Sequence, residues 1–89
     1  MNGKQARGGS KIRLAPGSQV RREKNQYVLV NPSGTVQLNE TAGEILSLCD
    51  GTRTRDEVVA QIVARASARA VDVNDFLDAA RARGWIIEG

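Results

Sequence analysis

The sequence contains no histidine. That removes the usual general base, the commonest metal ligand and every Ser–His or Cys–His nucleophile pair. It has a single cysteine, so an internal disulfide is excluded and there is no paired thiolate for zinc. Aromatic residues make up 3% of the chain, as Tyr27, Phe76 and Trp85. A core of any size must therefore be built from Val, Ile, Leu and Ala. There is no Walker phosphate loop and no glycine-rich dinucleotide fingerprint behind a strand. The glycine-rich stretch Arg7–Ser10 has no helix behind it and makes a poor phosphate cradle. No apolar run reaches membrane length and no signal-peptide pattern is present, which leads to the expectation of a reducing, cytoplasmic setting. These absences together predict no catalytic residues, no metal site, no cofactor and no enzymatic activity of the chain by itself.

The candidates for chemistry that do exist have simpler structural readings. Cys49 falls at the carboxy end of an apolar helical stripe, beside Asp50. Both local fields raise a thiol pKa there, whereas a nucleophile needs it lowered. A buried core cysteine is the better reading. Asp72, Asp75 and Asp78 stand at i, i+3 and i+6. A helix cap followed by a dipole-favoured first turn and a solvated face accounts for them without a metal.

At 89 residues the chain is one small domain. Its charge is distributed unevenly. Residues 1–24 hold seven basic groups against Glu23, for +6; residues 25–89 hold six basic and nine acidic groups, for −3. Residues 1–11 are glycine-rich, basic and poor in large apolar groups, and are expected to form a disordered arm ahead of a domain over residues 12–89.

From Val20 onward the punctuation predicts a three-stranded antiparallel meander. Val20–Glu23 forms the first strand, and Lys24–Asn25 a tight turn in which Asn tolerates positive φ. Tyr27–Val30 is apolar at every position, as in a central strand covered on both sides. Asn31–Gly34 carries Pro and Gly where a type I turn places them. Thr35–Leu38 follows, with Val36 and Leu38 inward. Three helices complete an α+β arrangement. Asn39 caps the first, whose face is Ala42, Ile45, Leu46 and Cys49, with Gly51 expected to end it. Thr54 and Glu57 have capping-box spacing for the second, with a stripe of Val58, Val59, Ile62, Val63 and Ala66. The third is expected to start at an Asp72 cap, to bury Val73, Phe76, Leu77 and Ala80, and to stop at Gly84 with Trp85 folded back.

The two sheet edges differ. Arg21, Arg22, Glu23 and Lys24 blunt the first strand with charge, but Thr35–Leu38 has none, although exposed edges are normally guarded. Two binding modes follow. A winged-helix-like DNA-binding module would need basic helix amino ends, and here those ends are acidic. Strand addition by an extended peptide at Thr35, Val36, Gln37 and Leu38 fits the uncharged edge. The same edge would also permit a homodimer, or be covered by Trp85–Ile87.

The stretch VQLNETAGEILSLCDGTRT, Val36–Thr54, resembles the PqqD family of pyrroloquinoline quinone biosynthesis proteins. RLAPGSQVRREKNQYVLVNPSGTVQLN and FLDAARARGWI extend the resemblance over Lys11–Ile87. It implies a winged-helix-like fold that does not bind DNA, acting as a peptide chaperone and recognition element. The expected partners are the ribosomally made precursor peptide PqqA and the radical-SAM enzyme PqqE, which cross-links a Glu and a Tyr of that peptide. The iron–sulfur clusters and S-adenosylmethionine would belong to that enzyme. Carried to this chain, the resemblance assigns Thr35, Val36, Gln37 and Leu38 to the peptide backbone and Phe76, Leu77 and Ala80 to a groove for its apolar anchors.

Overall fold

A computed structural model describes residues 10–89. Nine of the eleven residues of the expected basic arm lie outside the described residues; its last, Lys11, is the first residue of a strand. The elements run β1 (Lys11–Leu14), β2 (Gln19–Glu23), β3 (Gln26–Asn31), β4 (Gly34–Leu38), α1 (Glu40–Leu48), β5 (Asp50–Thr54), α2 (Arg55–Arg65), α3 (Ala70–Ala82) and β6 (Ile86–Glu88). The class is α+β, with the expected meander and three helices, and with a second antiparallel sheet that the sequence did not disclose. One sheet has the order β2-β3-β4, the other β5-β1-β6.

The meander forms because its turns are local. Lys24 and Asn25 take φ of 51° and 67°, the left-handed pair that matches strand twist in a two-residue hairpin. Glu23 and Gln26 flank it as the first pair. Between β3 and β4, the Asn31 side chain accepts from the Ser33 backbone N–H at 2.9 Å, an Asx turn that fixes the connection. Leu29 is fully buried in the core. Val28, which alternates to the opposite face, is also buried at 7%, although it lies outside the core cluster. At Val28 and Leu29 the strand is thus covered on both faces, as expected, while Tyr27 and Val30 are half-buried.

Helix starts follow their caps. Asn39 Oδ1 accepts from Ala42 N–H at 2.7 Å. Thr54 and Glu57 form both bonds of the capping box, at 3.2 and 2.8 Å. α3 departs from expectation: it opens at Ala70, with Arg69 as a cap that makes no side-chain bond, so Asp72 lies in the first turn rather than before it. At its other end Trp85 N–H donates to Ala80 O and Gly84 N–H to Arg81 O, the paired bonds of a Schellman ending, with Gly84 at φ 79°.

Gly51 does not cap α1. The helix ends at Leu48 with Cys49 as its cap, and Gly51 falls inside β5 at φ 88°. There the β1–β5 register jumps from Ile12↔Arg53 to Arg13↔Asp50, and this irregularity accommodates a residue that only glycine tolerates cheaply. β1 is central to the second sheet and joins the middle and the end of the chain. Leu14 N–H donates to Cys49 O, Ala15 N–H to Trp85 O, and Gly89 N–H to Lys11 O.

The core lies between the sheets and helices, with Ile12, Leu29, Leu46, Val58, Ile62 and Leu77 fully buried. Val63, expected on the buried stripe of α2, is instead 41% exposed. α1 approaches β3 closely at Gly43, beneath the Tyr27 ring. Arg55 ties the amino end of α2 to the rest. Its guanidinium donates to both Glu88 oxygens (3.0 and 2.8 Å) and to the Asn74 side chain (3.0 Å), and pairs with Asp78. The two-pronged contact holds the Glu88 carboxylate below its usual range and raises the guanidinium.

Candidate functional site

β4 is an edge strand. It pairs with β3 on one side, and no strand lies on its other side among the described residues. Trp85–Ile87 does not cover it, because β6 joins β1 in the other sheet. The hydrogen-bond parity of this edge follows from the hairpin. With two residues in the connection, Asn31 and Gly34 form a hydrogen-bonded pair, and such pairs alternate along an antiparallel ladder. The register Leu29↔Val36 and Tyr27↔Leu38 therefore turns the N–H and C=O of Val36 and Leu38 toward β3. Those of Thr35 and Gln37 turn outward, offering two donors and two acceptors at the margin.

Side chains alternate in the complementary sense. Thr35 and Gln37 are exposed, Val36 is half-buried and Leu38 is buried. The Gln37 side chain leans across the outer face toward Gln26, with a weak 3.4 Å contact.

On the inner side, two separate hollows lie near the two ends of β4, one reached by α3 and the other by the segment after it, and together they mark a groove. Near Gly34 there is a hollow of about 330 Å³, where the β3–β4 turn, Thr35 and Val36 face Arg83 and Trp85. Near Asn39 there is a second hollow of about 200 Å³. Phe76, Val73 and Asp72 of α3 line it opposite Thr41, Ala42 and Ile45 of α1. α3 thus runs antiparallel to β4 along the groove. The Schellman ending brings Trp85 back to the turn of Ala80 and so onto this wall.

The groove residues assigned by resemblance are not equivalent in the structure. Phe76 is half-buried and lines the groove. Leu77 and Ala80 are 0% and 1% exposed within the core, where they support the wall from behind. Several lining residues had not been assigned to the groove, among them Thr41, Asp72, Arg83 and Trp85. The Gly84 stop was a usable signal for Trp85, since a residue folded back after a helix lies against that helix.

Cys49 is 1% exposed and its thiol contacts Ile45 O at 3.3 Å. Burial first, then Asp50, pushes its pKa up to about 12, the opposite of an activated nucleophile. Helix amino ends, where phosphate would be met, carry Asp56 and Glu57 in α2 and Asp72 in α3. No helix among the described residues is long and apolar enough to cross a membrane.

This combination of an open three-stranded meander and a helix-walled groove is the fold of recognition elements for ribosomally made, modified peptides. The solution NMR structure of the PqqD truncation of Methylobacterium extorquens PqqCD, described as a functional, stand-alone recognition element of that type, superposes with a TM-score of 0.64. The match has 25% identity and covers 90% of this chain and 92% of that one. The structure of TbiB1 in complex with the TbiA(beta) leader peptide shares the fold, with a TM-score of 0.67, 21% identity, and coverage of 83% and 93%.

The sequence comparisons are narrower. The family model "Coenzyme PQQ synthesis protein D (PqqD)" matches residues 26–86. The PqqA binding protein of Methylococcus capsulatus (strain Bath) is 38% identical over 65 residues, which is 71% of this chain and 70% of that protein. The chain belongs to the PqqD family.

Proposed function

We propose that this domain binds the precursor peptide PqqA by strand addition at β4 and presents it to the radical-SAM enzyme PqqE in pyrroloquinoline quinone biosynthesis. The domain itself carries out no reaction, and works in the cytoplasm beside that enzyme. The observation that carries the reading is the open margin of β4, with the outward backbone groups of Thr35 and Gln37 next to a groove. A guest strand there gains main-chain hydrogen bonds, while its alternate side chains enter the space between Val36 and Phe76. The name of the Methylococcus relative supports the choice of PqqA. Leu77 and Ala80 act in this reading by holding the helix wall in place.

Gln37→Pro tests it. The substitution deletes an outward N–H, and proline is tolerated on the open side of an edge strand. One hydrogen bond contributes about 0.5–1.5 kcal/mol net, and each 1.4 kcal/mol is a factor of ten. PqqA should therefore bind roughly 3- to 10-fold more weakly, followed by Trp85 fluorescence, while far-ultraviolet circular dichroism stays that of the wild type. Unchanged affinity in a folded variant would place the peptide elsewhere.

A further inference from the structure

The two hollows near the ends of β4 each carry one charge, and the two charges are opposite. Asp72 is the charged side chain lining the hollow near Asn39. Arg83 is the charged side chain lining the hollow near Gly34, with its guanidinium 5.5 Å from the centre of the Trp85 ring. Among the described residues neither Asp72 nor Arg83 makes an ion pair. Several other helical charges, Glu44, Asp56, Arg65 and Asp75 among them, make no ion pair either, but none of these lines either hollow. Arg69, which precedes α3, lines neither hollow. Between the two charges the wall is Phe76 and Val36, both half-buried.

We infer that the groove selects an extended peptide with opposite charges on two inward-facing residues four apart: a base for Asp72 and an acid for Arg83, with an apolar residue between them. The inference rests on strand addition at β4. The spacing comes from one helical and one strand geometry. Asp72 and Arg83 are eleven residues apart on α3, about 16 Å at 1.5 Å per residue. A guest paired to β4 turns inward the residues opposite Gly34, Val36 and Leu38, because side chains opposite one another share a face. The outer two are four residues apart, roughly 13 Å. The remaining ~3 Å is within the reach of a Lys and a Glu side chain.

Direction follows from the same frame. Antiparallel pairing is the more stable per residue. An antiparallel guest has its amino-terminal side against Leu38, near Asp72, so its order is base, apolar, acid.

The test uses two synthetic strand-forming peptides of alternating Thr and inward residues, with Leu at the centre. They differ only in whether Lys or Glu comes first. Each is titrated against the full chain at low ionic strength, by Trp85 fluorescence and amide chemical shifts. The Lys-first peptide should bind on the order of tenfold tighter, the sum of two exposed ion pairs gained and two like-charge contacts avoided. The preference should fade at 1 M salt. Arg83→Glu alone should abolish it, and Asp72→Lys with Arg83→Glu should invert it, with circular dichroism reporting that both variants are folded.

Equal binding of the two peptides, a Glu-first preference, or a preference that the double variant leaves unchanged overturns the inference. Gln37→Pro separates that failure from a failure of the docking mode. If both peptides lose affinity in Gln37→Pro, strand addition stands and only the charge selection falls. If neither does, the edge is not where they bind.

Discussion

Gly43 offers a sign reversal that only the tertiary packing explains. It lies inside α1 and is buried. At an ordinary helix interior, Gly→Ala raises stability by roughly 0.5–1 kcal/mol, because alanine has less chain entropy to lose. Here a Cβ would overlap the Tyr27 side chain at its Cβ, Cγ and Cδ2. These are the atoms nearest the β3 backbone, so rotation of the ring cannot clear them; the strand or the helix must move. Overpacking of this kind costs about 1–3 kcal/mol. Subtracting the propensity gain leaves Gly43→Ala destabilising by about 0–2.5 kcal/mol, in the upper part of that range for an overlap with three Tyr27 atoms. A domain of this size loses roughly 4–8 °C of Tm per kcal/mol, so thermal or urea unfolding followed by far-ultraviolet circular dichroism will resolve it. In a Tyr27→Ala background the ring is gone but its Cβ remains, so the penalty should shrink by about 1 kcal/mol without vanishing. A Gly43→Ala variant that is more stable than wild type, or an equal effect in both backgrounds, would refute the argument that the Tyr27 ring sets the spacing of α1 from the sheet.

Two further outcomes follow from groups outside the groove. Cys49 should resist alkylation in the native protein at pH 8 and react fully in denaturant, since its pKa is pushed up to about 12 and the thiol is buried; native-state labelling at the rate of a free thiol would contradict this. The Glu88 carboxylate lies below its unfolded pKa because of Arg55. Its contribution is therefore present above about pH 4.5 and is lost as pH falls through the folded value. Glu88→Gln should lower stability at pH 7 by about 0.5–1 kcal/mol, a figure kept small because such pairs are partly screened, and should flatten the acid limb of the unfolding curve below about pH 4.5. An unaltered acid limb would show that the Arg55 contact is not what depresses the group.

What could be read from the sequence was what neighbouring residues decide. The meander announced itself through Lys24–Asn25 and Asn31–Gly34, and the helix caps through Asn39, Thr54 and Gly84, because each signal and its partner lie within a few positions. The second sheet was hidden for the opposite reason. Its strands are short, and β1 must find residues 50–54 and 86–88. Asp50–Thr54 looks polar and punctuating, which suited a helix exit, and only pairing with β1 makes it a strand. The start of α3 was misjudged because Asp72 is a good cap, while Arg69 does the job without a side-chain bond. The edge was visible as an uncharged strand. The groove was only half visible, since its walls gather side chains from β4, α1, α3 and the segment after α3. Periodicity correctly grouped Phe76, Leu77 and Ala80 on one stripe, but it could not say that Phe76 alone faces the cleft.

The bond from Gly89 N–H to Lys11 O, 3.0 Å long, brings Gly89 beside the start of β1. A bridge of a few residues from Gly89 to Lys11 would close residues 11–89 into a ring, and new termini could then be opened at an exposed hairpin tip such as Lys24–Asn25 without severing β1 from its two neighbours.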